Sequence, residues 1–434
     1  MENPVRSAAS ALAAVSAVVL AGSASGAGFA LYEGSARGNV TPAGLAAKGG
    51  DATALYFNPA AITEVPGTQA ALGLTAIVPA ADVKTRNPYT GATQRSYGDG
   101  KVWPIPHFYV TSQMSDELWF GFGVGTRFGL GAEFEETWPG RYSSYKAEIL
   151  SFDVMPTLAW KVTDRLSVAL GISFRYFDIE LAQKIDAAGM SGLRNYNDPT
   201  PSPFDVDQNL HGDDVKPAID LGLAWKATDT FTVGAAYHSR IKFKVEGDAK
   251  WKKPAAVQAM APMAFNDMDF HAYNYNPDAL LLAFAWDASE KLTLSAGATY
   301  TTWSLYDDLQ IDLHGQMLPG VSKLESDKKW HDTWRLSVGG DYKLSDAWTL
   351  RAGYTWDQSP INGKHVDYLV PGDNRHILAV GAGWTGGAWT VEASYFYELV
   401  DDYDVDGRPR NGVYDGKFCG ADAHAVALTV ARSF

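Results

Sequence analysis

Apolar and polar residues alternate along ten-residue stretches of this chain, and such stretches recur up to the C-terminal Phe434. The clearest stretch spans residues 348–357. Side chains of a strand point to opposite sides in turn, so one face carries Trp348, Leu350, Ala352, Tyr354 and Trp356. The other face carries Thr349, Arg351, Gly353, Thr355 and Asp357. A regular polar face opposite an aromatic one is typical of a barrel wall with lipid outside and a partly polar lumen inside.

Short polar turns separate the alternating stretches and give a strand count. Six of them lie at 113–117, 161–165, 226–230, 287–291, 343–347 and 385–388. Longer loops rich in Asp, Gly, Pro and Asn join the other strand ends, as in outer-membrane barrels whose short turns are periplasmic. The six turns join twelve strands, and an opening strand at 68–78 and a closing strand at 421–434 bring the prediction to fourteen. An even, closed count leaves no unpaired edge in the membrane.

Inward positions on two of the strands are small. After Leu118 the inward set includes Gly121, Gly123, Gly125 and Arg127, opposite an outward set that ends in Phe128. The closing strand turns alanines and hydroxyl residues inward. Because glycine adds no side chain to the packing, we expect a deformable third strand and an internal void beside these positions.

Composition and the N-terminus narrow the class of protein. The chain has 434 residues, 46% of them apolar, and a formal net charge of −14. No stretch of the mature chain has 18 consecutive apolar residues, which excludes a helical span, and the absence of a basic stripe argues against nucleic acid as a partner. Residues 1–26 resemble a secretory signal peptide, with a buried N-terminal helix as the alternative. Export and the single Cys419 indicate a bacterial envelope protein without a disulfide framework.

A Gly- and Ala-rich segment of about forty residues separates the predicted cleavage site from the first strand. It contains Ala27-Gly28-Phe29 and Asn58-Pro59-Ala60, and the chain continues with Gly140-Arg141-Tyr142 and Asp357-Gln358-Ser359-Pro360. In this order the motifs resemble the FadL family of outer-membrane transporters of long-chain fatty acids and other hydrophobic compounds.

The resemblance implies an all-β fold: a fourteen-stranded antiparallel transmembrane β-barrel (67–434) closed by an N-terminal plug, or hatch (27–66). It also implies that hydrophobic molecules bind in an apolar extracellular groove and then in an internal pocket. They leave sideways into the outer membrane at a kinked third strand, for which Gly121, Gly123 and Gly125 are the candidates here. The substrate does not follow, because relatives import either fatty acids or aromatic hydrocarbons.

Five arginines face inward on the predicted strands and are candidates for binding a ligand carboxylate: Arg351, Arg175, Arg335, Arg240 and Arg127. A guanidinium can hold a carboxylate through two parallel hydrogen bonds. Arg351 is the strongest candidate because it lies in mid-strand beside Gly353, between neutral neighbours on the same face. The alternative is that the arginines pair with acidic lumen residues such as Asp341 and Glu392 and hold the plug to the barrel.

An apolar groove is predicted at the loop 246–276, which holds three of the eight methionines beside two phenylalanines: Met260, Met263, Phe265, Met268 and Phe270. Such side chains adapt to ligands of variable shape. The loop 183–214 is the expected neighbour, and packing between the two loops is the compatible alternative. In the hatch motif we expect Asn58, Pro59 and Ala60 to set a fixed turn, with gating as a second possibility.

No enzyme motif is recognisable, whether a nucleophile elbow, a His-Glu-x-x-His pair or a phosphate loop, and no metal or cofactor is expected. The leading hypothesis is uptake of hydrophobic compounds, with long-chain fatty acids as the expected substrate. Import of aromatic hydrocarbons by the same route and a general diffusion porin are the alternatives, and a lipid hydrolase or adhesin is a third. Expected partners are outer-membrane lipids, a hydrophobic ligand and, through Phe434, the barrel-assembly machinery; we expect a monomer.

Overall fold

A computed structural model describes residues 28–98, 100–370 and 372–434, so the predicted signal peptide and Ala27 lie outside the described residues. Within these ranges the strands are β1 (Thr68–Arg86), β2 (Thr93–Tyr97), β3 (Trp103–Gln113), β4 (Leu118–Gly125), β5 (Leu130–Glu133), β6 (Lys146–Thr163), β7 (Leu166–Asp186), β8 (Asp205–Lys226), β9 (Phe231–His238), β10 (Ile241–Lys252), β11 (Met268–Asn276), β12 (Ala279–Asp287), β13 (Leu292–Thr301), β14 (Asp308–Leu313), β15 (Lys323–Asp327), β16 (Thr333–Lys343), β17 (Trp348–Asp357), β18 (Arg375–Gly386), β19 (Trp389–Val400), β20 (Tyr403–Val405) and β21 (Gly416–Ser433).

Fourteen of the described strands form a closed antiparallel ring, which confirms the predicted fold class. The ring runs β1, β3, β4, β6, β7, β8, β9, β12, β13, β16, β17, β18, β19 and β21. It closes where β1 pairs with β21, from Gln69 opposite Ser433 onward. The remaining strands extend the wall or its loops on the side away from the six short turns.

The helices are short and lie in the hatch or in the long loops. They are α1 (Pro42–Lys48), α2 (Ala54–Phe57), α3 (Ala187–Met190) and α4 (Ala255–Met260), with 3₁₀ turns at Pro59–Glu64, Pro139–Tyr142, Trp303–Leu305, Gly363–His365 and Pro409–Asn411. No helix in the described part of the chain has the length and apolarity to cross a membrane.

The outer surface of the wall is apolar, as the alternation predicts. On β17, Trp348 and Leu350 expose 46% and 44% of their surface, whereas Asp357 on the opposite face exposes 1%. Tryptophans and a terminal phenylalanine ring the side that carries the short turns, at positions Trp160, Trp225, Trp286, Trp348, Trp384, Trp389 and Phe434. Such belts lie at the interface between lipid and water.

Residues 28–66 fill the lumen and pack against small wall residues. The hatch contributes α1, α2 and the 3₁₀ turn Pro59–Glu64 to one buried apolar cluster with wall residues such as Tyr109 and Met155. A Cβ added to Gly222 of β8 would lie 2.6 Å from both Asn58 Oδ1 and the Ala60 nitrogen. Gly222 therefore makes space for the hatch, as do the inward glycines of β4, where the sequence predicted a void.

The third strand of the ring is broken at its outer half. Strand β4 ends at Gly125 and the chain resumes as β5, while residues 29–31 of the hatch pair with the break. The Leu31 nitrogen donates to the Arg127 carbonyl (2.8 Å), and the Gly129 nitrogen donates to the Phe29 carbonyl (2.9 Å). The break ends the alternation, so Phe128, predicted to face lipid, is instead buried against Phe29.

The inward glycines of β4 also face the hatch. A Cβ on Gly121 would lie 2.9 Å from Leu55 Cδ1, and one on Gly125 would lie 3.4 Å from Tyr56 Cδ2. Gly123 lies between them, within 3.1 Å of Leu55 and Met155 side chains by the same measure. At these three glycines the inner face of β4 carries no side chain, and the hatch packs close against it.

Candidate functional site

An internal cavity lies between the hatch and the outer half of the barrel. It has a volume of about 80 Å³, and its lining combines hatch residues 30–33 with wall residues that include the broken third strand. Three of the five arginines proposed from the sequence line it: Arg127, Arg175 and Arg335. Apolar surface and a few charged groups therefore meet in one enclosed space, as in a site for an amphiphilic ligand.

Arg127 is the cavity arginine whose charge is least compensated. It is 8% exposed, and among the described residues no carboxylate lies within the 4.0 Å of an ion pair. One guanidinium nitrogen lies 3.3 Å from His238 Nε2, and the group stacks 4.4 Å from the Tyr56 ring centre. Its Nε has no hydrogen-bond partner in the described structure. The Nε–H group is therefore available to donate a hydrogen bond to a ligand.

The other two cavity arginines are held by carboxylates of the wall. Arg175 donates from Nε to Asp153 at 2.8 Å and stacks 4.5 Å from the Phe128 ring centre. Arg335 pairs with Asp357 and stacks 4.2 Å from the ring centre of Tyr32. Their charges are balanced within the barrel, so they shape the cavity more than they offer a free cation.

His238 is a polar lumen residue whose two ring nitrogens both have partners. Its Nδ1 lies 2.6 Å from Asp220 Oδ1, so the ring can donate there and accept from Arg127 through Nε2. Across residues 28–98, 100–370 and 372–434, no group of three or more His, Cys, Asp or Glu side chains is arranged to hold a metal ion.

Arg351 and Arg240, proposed from the sequence as carboxylate ligands, lie outside this cavity. Arg351 donates to Glu392 (2.5 Å) and lies 3.3 Å from Asp341, which also pairs with Arg37 of the hatch. Arg240 pairs with Asp278 at 2.6 Å. Arg351 therefore braces the periplasmic side of the hatch, because acidic partners on neighbouring strands take up its charge, and we withdraw it as the leading ligand candidate.

A groove with an apolar floor opens on the extracellular side. Its apolar lining comes from β7, β8, β14, β15 and the loops beside them: Leu181, Ile185, Leu210, Leu309, Ile311, Met317, Val321, Leu324 and Leu369. Burial raises the pKa of the Tyr142 hydroxyl at its rim, which therefore stays protonated and donates to Asp205 at 2.6 Å. Arg141 donates to the same carboxylate at 3.0 Å and joins two loops at one end of the groove.

The methionine-rich loop does not form this groove. Met260 and Met263 expose 54% and 84% of their surface at the loop tip, whereas Phe265 and Phe270 are buried in a cluster that supports the groove from behind. Met268 packs at the edge of the same cluster. Phe265, Met268 and Phe270 therefore belong to the apolar cluster behind the groove, and neighbouring segments form the exposed groove wall.

An aromatic cluster separates the groove from the internal cavity. Phe29 of the hatch packs edge-on against Trp303, with ring centres 4.8 Å apart, and lies 5.9 Å from Trp330. Phe177 and Phe243 of the wall stack at 4.7 Å in the same cluster. A ligand that moves between the two spaces must pass or displace these rings.

The hatch motif forms the predicted turn and also fixes the hatch to the wall. Asn58 Oδ1 accepts from the Ala60 nitrogen at 3.1 Å and caps the 3₁₀ turn that begins with Pro59. Asn58 Nδ2 donates to the carbonyls of Ala46 (2.7 Å) and Leu223 (2.9 Å). The asparagine thus joins α1, the turn and strand β8.

Sequence reasoning missed most of the groove wall. The signal was present in β14, where Leu309, Ile311 and Leu313 alternate with polar residues. It also missed the buried amides Gln208, Asn274 and Asn276, because an isolated Asn or Gln carries no pattern that marks it as buried.

The sequence is similar to that of known outer-membrane proteins. Residues 17–434 match the family model described as "Outer membrane protein transport protein (OMPP1/FadL/TodX)". A putative outer membrane protein of Neisseria meningitidis serogroup B is 26% identical over 391 residues, with 82% of each chain covered. A long-chain fatty acid transport protein of Escherichia coli O6:H1 is 22% identical over 387 residues, with 85% of each chain covered.

Solved structures share the fold. A FadL homologue of Pseudomonas aeruginosa superposes with a TM-score of 0.80 at 21% identity, covering 94% of this chain and 100% of that one. The toluene transporter TodX of Pseudomonas putida superposes with a TM-score of 0.69 at 17% identity, again covering 94% and 100%. At these identities the likeness shows the fold.

Proposed function

Because this chain belongs to the OMPP1/FadL/TodX family of outer membrane transport proteins, whose members are transporters and not enzymes, we propose that it takes up long-chain fatty acids or closely related amphiphiles. It is an outer membrane transporter of hydrophobic compounds on the family assignment. The choice of substrate within that class is our proposal.

The observation that carries the proposal is the buried Arg127 guanidinium facing the internal cavity without a carboxylate partner among the described residues. An ionised carboxylate is costly to bury unless it is paired and hydrogen-bonded. A purely apolar guest such as toluene would leave the buried Nε donor of Arg127 unused. A fatty acid would place its carboxylate at Arg127 and its chain along Phe128 and Leu281, which also line the cavity.

The extracellular groove supports the same class of ligand. Burial of an alkyl chain yields ~25 cal/mol for each Å² of apolar surface removed from water, so an apolar floor beside polar rim residues suits an amphiphile. Lys184 and Arg410 lie at the rim. We infer that the groove captures ligand and that the internal cavity receives it.

Lateral release at the third strand remains the proposed exit. The ladder between β3 and β4 ends at Phe108 opposite Val124, and among the described strands the outer part of β3 pairs with β1 alone. Residues 29–31 of the hatch cover the break. Displacement of this segment would open the wall beside Arg127, which suggests how a ligand could reach the membrane.

The test compares Arg127→Leu with Arg240→Leu in the purified, folded protein. A hydrogen bond to a charged group is worth ~1.5–3 kcal/mol, so Arg127→Leu is expected to weaken oleate binding ~10- to 100-fold by calorimetry. Arg240→Leu removes an arginine outside the cavity and should leave oleate affinity unchanged. Toluene affinity should be the same in both variants.

Two results would overturn the proposal. The first is wild-type protein that binds toluene but not oleate, which would favour import of aromatic hydrocarbons. The second is Arg127→Leu protein that binds oleate as tightly as the wild type. Large steady currents through wild-type protein in planar bilayers would instead indicate a diffusion porin, a reading that the packed hatch disfavours.

Phe434 remains the proposed contact for the barrel-assembly machinery, and a monomeric state remains our expectation. The Phe434 side chain lies at the periplasmic end of β21, is 72% exposed and has Arg432 4.9 Å from its ring centre. It is therefore accessible to an assembly factor.

A further inference from the structure

Strand β11 forms a continuous inward face between the extracellular groove and the internal cavity. Its inward side chains are Phe270, Ala272, Asn274 and Asn276. Asn274 lines a small cavity whose other walls include Leu181, Leu210, Leu309 and Ile311, and these four residues also line the groove. Directly after Asn276, Pro277 and Ala279 line the internal cavity. The inward face of β11 therefore extends from the groove side to the edge of the internal cavity.

Two amide side chains on this face are buried without partners. Asn274 and Asn276 are 2% and 0% exposed. Among the described residues, neither the Oδ1 nor the Nδ2 atom of either side chain has a hydrogen-bond partner. Their opposite residues on β10 are Phe243 and Ile241, which offer no polar side chain. Buried polar groups are nearly always hydrogen-bonded, so four free atoms in a row need an explanation.

A third amide stands at the groove end of the same route. Gln208 is fully buried, lines the groove and accepts from Gln183 Nε2 at 2.6 Å through its Oε1. Its Nε2 has no partner within the described residues. Gln208, Asn274 and Asn276 thus offer unused hydrogen-bonding atoms at the groove, at the small cavity and at the approach to the Arg127 cavity.

We propose that Gln208, Asn274 and Asn276 form an amide ladder that hydrogen-bonds the polar head group of an amphiphilic ligand as it passes from the groove to the internal cavity. This inference rests on the proposed function. An amide nitrogen can donate to a carboxylate, and the complete amide can both donate to and accept from a carboxylic acid or a hydroxyl. The amides are uncharged, so they stabilise the head group in transit without the strong pairing that an arginine provides.

The ladder matters for a ligand with a polar head and not for a hydrocarbon. A carboxyl group that crosses the aromatic cluster without hydrogen bonds would be strongly disfavoured. A saturated hydrocarbon carries no such group. The amides therefore act as positioning residues on the path, and their removal should slow entry of a fatty acid without changing its final affinity at Arg127.

The experiment measures initial uptake of oleate and of dodecane by cells of a bacterial host that lacks its own fatty acid transporter. Asn274→Leu and Asn276→Leu are expected to slow oleate uptake at least tenfold, equivalent to ~1.4 kcal/mol in the barrier, with dodecane uptake unchanged. Equilibrium oleate binding to the purified variants should match the wild type. Asn274→Ser, which returns a hydroxyl, should recover part of the rate.

Ala272→Leu is the matched control, because it narrows the same inward face without removing a polar group. It should slow the uptake of oleate and of dodecane to the same extent. Asn274→Leu and Asn276→Leu proteins that take up oleate at the wild-type rate, or that lose oleate and dodecane uptake equally, would overturn the ladder. Wild-type protein that takes up no oleate would overturn both proposals. If the Asn variants take up oleate at the wild-type rate while Arg127→Leu weakens oleate binding, the ladder is refuted and the proposed function stands.

Discussion

Asn58 gives the sharpest test of how the hatch is held in the barrel. Asn58→Leu keeps the approximate size of the side chain and removes its polar atoms. Three backbone groups then lose their partner: the carbonyls of Ala46 and Leu223 and the nitrogen of Ala60. Each lost bond at a fully buried site is worth about 1 kcal/mol, so the seated hatch should lose ~3 kcal/mol. That energy shifts the balance between seated and displaced hatch by about two orders of magnitude.

The assay is ion current through single proteins in planar bilayers, since a displaced hatch opens the lumen to water. Asn39→Leu serves as the control within the same hatch, because Asn39 Nδ2 makes one bond to the wall, at 3.1 Å from Thr75 Oγ1. It should raise the open fraction about tenfold or less, against about a hundredfold for Asn58→Leu. The heat-dependent shift in electrophoretic mobility checks that both barrels are folded.

Asn58→Asp separates the loss of hydrogen bonds from a change of shape. Its carboxylate can still accept from Ala60 but faces the two carbonyl oxygens that Nδ2 now serves. The current should therefore rise at least as far as in Asn58→Leu. A folded Asn58→Leu barrel as closed as the wild type would refute the reasoning, because the hatch would then be held by its apolar contacts alone.

Two further substitutions test the packing of the hatch against the wall and the ion pairs beside it. Gly353→Ala should displace the hatch and raise the bilayer current, because the added Cβ would lie 1.9 Å from the Val40 carbonyl oxygen. Gly363→Ala is the control and should behave as the wild type, because no atom lies within 4 Å of its added Cβ. Arg351→Met should lower the free energy of unfolding by ~3–5 kcal/mol in denaturant titrations, because it leaves Glu392 buried without its partner. Unchanged oleate affinity in that variant would confirm that Arg351 serves only the ion pairs with Glu392 and Asp341. A large loss of oleate affinity would make Arg351 a ligand-binding residue again.

The barrel could be predicted from the sequence because the membrane imposes one simple rule on every strand. Lipid outside and a lumen inside force a period of two, and the six short turns stand where the alternation stops. The rule fails where a strand breaks. Phe128 follows Gly125 in the same run of residues, yet the break turns it toward Phe29, and no periodic signal marks that change.

The arginines show which structural information the alternation of apolar and polar residues does not contain. It identifies a residue as inward but says nothing of its depth or partners. Arg127 and Arg351 both face inward, yet Arg351 meets two carboxylates and Arg127 meets a histidine and a tyrosine ring. Those partners come from neighbouring strands and from the hatch, so register between distant segments decides which arginine is free to bind a ligand.

Tyr56 connects the hatch, the broken third strand proposed as the exit, and the internal cavity. Its hydroxyl lies 2.9 Å from the carbonyls of both Leu31 and Thr126, which belong to the hatch segment at the break and to the broken strand itself. Its ring is stacked on Arg127 in the cavity. A carboxylate that draws the Arg127 guanidinium away would weaken this stacking, and movement of Leu31 would break one hydroxyl contact. Ligand binding and opening at the third strand therefore act on the same side chain, which gives a physical reason for release to depend on an occupied cavity.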